Sequence, residues 1–234
     1  WCDTESGEEH NRSRDWGDEP TKRQMMRNMF AGLFFAHGTP MIYGGDEWMR
    51  TQYGNNNAYY IAADNEWNWF RWGEWQSTSS HFRARMHDFV RNLSRMRKER
   101  MYAFSPKEHG QGMPFSWKTR FNNDMSGADW SGKSTMIHYY NDENWDKPQI
   151  LIMMNMERDT QTFTLPEGVT WGRILDTQSY FDRGDIINEP EGFFTDNPDF
   201  DTATSANISL DNPQIIENNT YDLMGSSIVI LEEQ

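Results

Sequence analysis

Apolar positions recur at helical spacing in two stretches of the chain. In residues 21–38, Met25, Met26, Met29, Phe30, Leu33 and Phe34 fall three and four apart. That is the stripe of an amphipathic helix. Pro20 and Thr21 suit its start and Gly38 its stop. From Ser79 to about Arg100, a second stripe runs through Phe82, Met86, Phe89, Val90, Leu93 and Met96. Arg83, Arg85, Arg91, Arg95 and Arg97 lie mostly off it, as a solvated face would place them. Between the helices, TPMIYGG (39–45) is a short apolar run bounded by Pro40 and Gly44–Gly45. It predicts a buried strand that ends on the acidic pair Asp46–Glu47. Residues 48–78 then predict a long loop, and a loop of that length inside a compact domain is usually functional or disordered. Its tryptophans argue against disorder.

From residue 113 the pattern changes to short β-type runs separated by Gly, Asp, Asn and Pro. The predicted strands are Pro114–Lys118, Thr135–Tyr140, Gln149–Asn155, Gln161–Leu165, Gly172–Leu175, Ala206–Leu210 and Ser227–Leu231. Six or seven such strands predict a small antiparallel β-sandwich. Residues 1–20 and 182–204 read as irregular segments. A lone strand between two helices cannot close a sheet, because a parallel strand needs neighbours. The first half therefore reads as the tail of a larger α/β domain.

Charge supports a boundary near residue 112. The 234 residues hold 22 basic and 36 acidic side chains, a net charge of −14. Residues 1–112 carry 15 of each sign, which leaves 7 basic and 21 acidic residues for 113–234. An acidic surface argues against nucleic acid or an anionic membrane as partner, and fits a neutral ligand such as a sugar. Aromatics at 15% of the chain rule out wholesale disorder. No stretch approaches the roughly 20 apolar residues of a membrane span. The single Cys2 excludes an internal disulfide and a Cys-based zinc site. It is compatible with a reducing compartment, and the expected location is cytoplasmic. Residue 1 is Trp and nothing beside it resembles a signal peptide, so the expectation is a chain that starts inside a longer one.

Several polar and aromatic residues are candidates for ligand contact. Asp46 and Glu47 are adjacent, and on an extended segment they would point to opposite faces. They could therefore not both address one bond, which favours a supporting role over an acid/base pair. Asn55, Asn56 and Asn57 are amides able to donate to and accept from hydroxyls, although Asn after Gly54 is also turn chemistry. Trp67, Trp69, Phe70, Trp72 and Trp75 could stack on sugar rings or pack the loop down. His10 and His37 have no partners at metal spacing. The run DNPDFD (196–201) lacks the glycine and the later Glu of a calcium loop. No metal or cofactor is expected.

The blocks GTPMIYGGDE (38–47), RTQYGNNNAY (50–59) and DNEWNWFRW (64–72) resemble the isoamylase and glycogen-debranching branch of the α-amylase family. So do RQMMRN (23–28), DMSGADW (124–130), NMERDTQTFTLP (155–166) and LDT (175–177). The resemblance runs from about residue 11 to the end. It implies an α/β plus all-β fold, with residues 1–112 the C-terminal remnant of a (β/α)8 TIM barrel. Segment 40–45 would be strand eight and 79–100 the following helix, with residues 113–234 an antiparallel β-sandwich. It implies hydrolysis of α-1,6 branch points in glycogen-like α-glucans by the retaining route. That route needs two carboxyl groups about 5–5.5 Å apart. The family carries them on strands that would precede Trp1, so no catalytic residue is carried onto this chain. HNRSRDWG (10–17) matches the family's stretch after strand seven only in part. Asp46, Glu47, Arg50, Asn55, Asn56, Asn57, Trp67 and Trp69 are then the expected substrate-binding residues, because barrel chemistry sits at the C-terminal strand ends. An α-1,4-amylase or pullulanase-type relative, or a non-catalytic glucan-binding module, are the alternatives.

Overall fold

The computed structural model describes residues 19–52, 64–65, 68–72, 81–105, 111–178 and 207–234. The predictions for His10, Asn55, Asn56, Asn57, Trp67, Trp75 and the run 196–201 fall outside them. The helices are α1 (Glu19–Phe35), α2 (His81–Glu99) and the single turn α3 (Met101–Phe104). The strands are β1 (Phe115–Thr119), β2 (Ser134–Tyr139), β3 (Ile150–Asn155) and β4 (Gln161–Thr164). They continue with β5 (Trp171–Asp176), β6 (Gln214–Ile216), β7 (Thr220–Leu223) and β8 (Ser227–Glu233). A six-stranded sheet has the order β1-β2-β3-β8-β5-β6, and β4 pairs with β7 as a separate ribbon. Every pairing among these strands is antiparallel.

The central strands are apolar on both faces, and the core shows why. Along β8, Ile228 and Ile230 join the helices in one cluster, with Phe30 and Phe34 of α1 and Phe89, Leu93 and Met96 of α2. The intervening Val229 and Leu231 face the other way, into a second cluster with Phe163, Leu165 and Leu223 around the ribbon. Strand β3 divides in the same manner, Ile150 and Ile152 against Leu151 and Met153. Three layers result: helices, sheet, ribbon. A strand covered on both sides reads as a continuous apolar run rather than an alternation. A register shift between Arg173 and Leu175 marks a bulge in β5, and both Ile174 and Leu175 lie in the helix-side core.

Three sequence expectations are corrected. The run 39–43 has no regular secondary structure and no ladder partner among the described residues, and Met41 and Tyr43 are 86% and 59% exposed. Its apolar content alone cannot make a strand where no neighbouring strand takes its hydrogen bonds. The predicted strand at Ala206–Leu210 is only a single bridge from Ile208 to Leu175. The place beside β5 is taken by β6, which with β7 was not predicted; they are only three and four residues long. The third correction concerns Arg97, which is buried rather than solvated. Its guanidinium donates to the carbonyls of Phe34, Ala36, Gly38 and Phe104. Helix α1 has no basic residue in its own last turn. Arg97 of α2 therefore supplies the cation and donors that a helix C-terminus needs.

The motif residues of the second half act as joints. Thr177 and Gln178 offer their carbonyls to Arg27 at 2.9 and 3.3 Å. The Thr177 hydroxyl donates to Asn28 Oδ1 at 2.5 Å and accepts from the Ile228 amide at 2.9 Å. Gln24 and Asn28 donate to the Ser226 carbonyl at 2.6 and 2.7 Å. This face of α1 is buried although it is polar. It is tolerated because burial of a polar group costs little once its hydrogen bonds are made.

His138 on β2 is half-buried against Trp171 and bonds Gln149 at 3.0 Å. Burial pushes its pKa below 6.5, and nearby Lys118 adds to this against the Gln149 bond. The unfolded chain then binds the proton first, so stability is lost as pH falls through about 6.5. Urea midpoints compared between pH 7.5 and 5 should fall less in His138→Gln than in the unsubstituted chain. Equal falls in the two proteins would contradict the assignment.

Candidate functional site

The segment after the run 39–43 turns sharply. Gly45 sits at φ 101 and Asp46–Trp48 form a 3-10 turn, closed by Met49 at φ 56. Only glycine adopts the first of these angles without strain. A Cβ at Gly45 would also lie 3.0 Å from Arg50 and Phe70 atoms. Asp46 and Glu47 are therefore not on an extended segment, as the sequence suggested. Both carboxylates fold back on the local backbone: Asp46 Oδ2 accepts from the Tyr43 amide at 3.2 Å and Glu47 Oε2 from Gly45 at 3.0 Å. Burial raises the Asp46 pKa, against the lowering effects of the Tyr43 amide and Arg50. The pair shapes the turn and does not form two carboxylates across one bond.

Trp48 anchors the turn. It is 4% exposed and meets His87 of α2 edge-on at 6.3 Å. Arg50 lies over the Tyr43 ring at 4.6 Å, a cation–π contact. Trp69, 54% exposed, donates from its indole N–H to Asp64 at 2.6 Å. Phe70 and Trp72 contact each other at 4.6 Å.

These residues enclose a cleft of about 210 Å³, lined by Trp48, Arg50, Trp69, Phe70, Arg71 and Arg83. The structure thus brings Arg50 and Trp69 to one cavity and sets Asp46 and Glu47 in the turn beneath it. Arg83 was expected on a solvated face. It reaches this cleft because the first turn of α2 lies beside the Trp48 turn, which no local pattern reveals. Aromatic faces beside guanidinium donors suit a ring that is apolar on its faces and hydroxylated at its edge. The cleft contains no nucleophile–acid pair among the described residues. No group of three or more His, Cys, Asp or Glu converges among them either. No described helix is long and apolar enough to cross a membrane.

No family model matches the chain. Its curated relatives include isoamylases and glycogen debranching proteins, and its structural neighbours include pullulanases. This is the branch that the motifs resemble. Isoamylase SU1, chloroplastic, of Zea mays is 28% identical over 242 residues, covering 98% of this chain and 28% of that protein. A glycogen operon protein GlgX homolog of Mycobacterium tuberculosis (strain ATCC 25618 / H37Rv) is 34% identical over 136 residues, 53% of this chain and 19% of that protein. The pullulanase from Bacillus acidopullulyticus matches with a TM-score of 0.62 at 18% identity, over 95% of this chain and 22% of that one. At that identity the likeness concerns the fold. The two isoamylases that match this chain almost end to end are far longer, and the chain spans about a quarter of their length.

Proposed function

We propose that this chain is the C-terminal portion of an isoamylase-type debranching enzyme that hydrolyses α-1,6 branch points of glycogen-like α-glucans. Residues 1–112 are the end of its (β/α)8 barrel and residues 113–234 its β-sandwich. The observation that carries this reading is the 28% identity to an isoamylase over 98% of the chain. The exposed run 39–43, with no ladder partner among the described residues, supports it, since a barrel strand removed from its neighbours would look like this. In the whole enzyme the retaining chemistry needs two carboxyl groups about 5–5.5 Å apart, one attacking the anomeric carbon and one protonating the leaving oxygen. Asp46 and Glu47 are committed to the turn, so those groups belong to other parts of the barrel. The contribution of this chain is to binding: Asp46 and Glu47 fix the turn, and Arg50 and Trp69 present donors and an aromatic face to glucan. Asn55, Asn56, Asn57 and Trp67 are the further glucan contacts of this reading, on their residue types alone.

Reducing-sugar release tests this. The 234-residue chain alone should release none from glycogen, and the whole enzyme should release linear maltooligosaccharides. Clear turnover by the chain alone would sink the placement of the carboxylates. A whole enzyme that cleaves pullulan far faster than glycogen would favour the pullulanase-type reading that the fold neighbours leave open.

A further inference from the structure

The connection from β1 to β2 holds aromatic side chains that the core does not use. Phe121 and Trp130 are 56% and 57% exposed, and Trp117 is 36% exposed. Trp117 and Trp130 lie 5.8 Å apart, their planes inclined by 59°. Large aromatics left this open in one short stretch are unusual unless something covers them. Beside them is a second cleft, of about 340 Å³, lined by Phe121, Asp129, Ser131, Lys133, Glu157 and Gln161 among others. Its volume falls at the lower end of small-molecule sites, roughly 300–1,000 Å³. It shares no lining residue with the Trp48–Arg83 cleft.

The turn that presents Trp130 is built to hold still. Gly127–Ser131 is a 3-10 segment closed by a capping box, in which the Ser126 hydroxyl and amide both donate to Asp129 Oδ2, at 3.1 and 3.0 Å. Ser131 ties back to the Ala128 carbonyl at 2.7 Å. The Arg120 guanidinium lies 4.1 Å from the Phe121 ring centre and fixes that ring. A preordered aromatic surface loses little entropy on binding. The lining of the cleft carries both signs, with Lys133 3.6 Å from Glu157 and with Arg120 and Asp129. It therefore offers donors and acceptors together and no net field for a polyanion.

We propose that the Trp117–Trp130 pair and the adjoining cleft form a glucan-binding platform separate from the Trp48–Arg83 cleft. Its ligand is the pyranose chain of an α-glucan, with ring faces on the indoles and hydroxyls on the charged rim. The choice of α-glucan rests on the debranching assignment; the platform rests on the exposed aromatics and the cleft. It would hold a branched polymer on the sandwich while another segment is processed.

Affinity electrophoresis of the 234-residue chain in gels containing glycogen tests it. Retardation is expected, with an apparent dissociation constant raised about tenfold or more in Trp130→Ala, which is about 1.4 kcal/mol. Trp130→Phe should keep most of the retardation, and Trp69→Ala, in the other cleft, should leave the Trp130-dependent part intact. Trp130 is exposed, so near-ultraviolet dichroism and the melting temperature should stay close to those of the unsubstituted chain. Absence of retardation, or equal retardation of Trp130→Ala and the unsubstituted chain, overturns the platform. Neither result touches the debranching assignment, which stands or falls on hydrolysis by the whole enzyme.

Discussion

Glu232→Ala should destabilise the chain by about 3–5 kcal/mol, the usual cost of stranding one partner of a buried ion pair. Arg100 ends α2 and meets Glu232 of β8 through two bonds of 2.6 Å, with both side chains about nine-tenths buried. Burial by itself pulls the Arg100 pKa down, but the hydrogen bonds and charge of Glu232 and the Glu99 bond outweigh it and leave it raised. Without Glu232, Glu99, at 3.2 Å and much more exposed, is the carboxylate that remains to Arg100 among the described residues. The double variant Arg100→Met/Glu232→Leu should recover most of the loss, since apolar replacements of similar size make no demand for hydrogen bonds. Urea unfolding of the two single variants and the double variant would measure this. Additive losses in the double variant would show that the pair is not the unit at work.

Asn155→Ala should cost about 3 kcal/mol, because it strands buried backbone groups on two loops at once. Asn155 is fully buried at the end of β3. Its amide nitrogen donates to the carbonyls of Asp159 and Leu223, both at 2.9 Å, and of Met224 at 3.2 Å. Its oxygen accepts from the Ser134 hydroxyl at 3.1 Å and the Glu157 amide at 3.0 Å. One side chain thus ties the β3–β4 turn to the end of β7 and to the start of β2. Asn155→Asp should be worse still at pH 7, as it turns a donor into a buried anion facing three carbonyls. A carboxyl so placed titrates above its ordinary range, so part of that loss should return as pH falls toward 4. Denaturant midpoints at the two pH values check both statements. An Asn155→Ala loss under about 0.5 kcal/mol would refute the hub.

The blocks that carry the family resemblance include these joints. Asn155 opens NMERD and Thr177 closes LDT, and each holds backbone from a distant part of the chain. Within DMSGADW, Asp129 is the cap that shapes the turn of Trp130. Recognition by motif therefore reported packing devices, and only the sugar-facing proposals for Arg50 and Trp69 extend it to binding. Neither block showed in advance what its polar residues do. Their partners lie up to 150 residues away and carry no local pattern.

By itself the sequence determined the two helices and most of the antiparallel strands. Their signals are local: a period of 3.6 for α1 and α2, and apolar runs between turn residues for β2, β3, β5 and β8. The shift in charge and period suggested a boundary near residue 112, and the last described helix, Met101–Phe104, and the first strand, Phe115–Thr119, lie on either side of it. Tertiary structure decided which polar residues go inside. Arg97 was assigned to solvent on average behaviour, yet it caps the end of α1 some sixty residues earlier. Arg100 finds its counter-ion 132 residues later. The same holds for the run 39–43, whose apolar pattern called for a strand that only neighbouring strands could create. Helical and strand periods are set by bonds between near residues, and burial is set by which distant surface arrives. The first can be written in a short window of sequence; the second exists only once the layers have met.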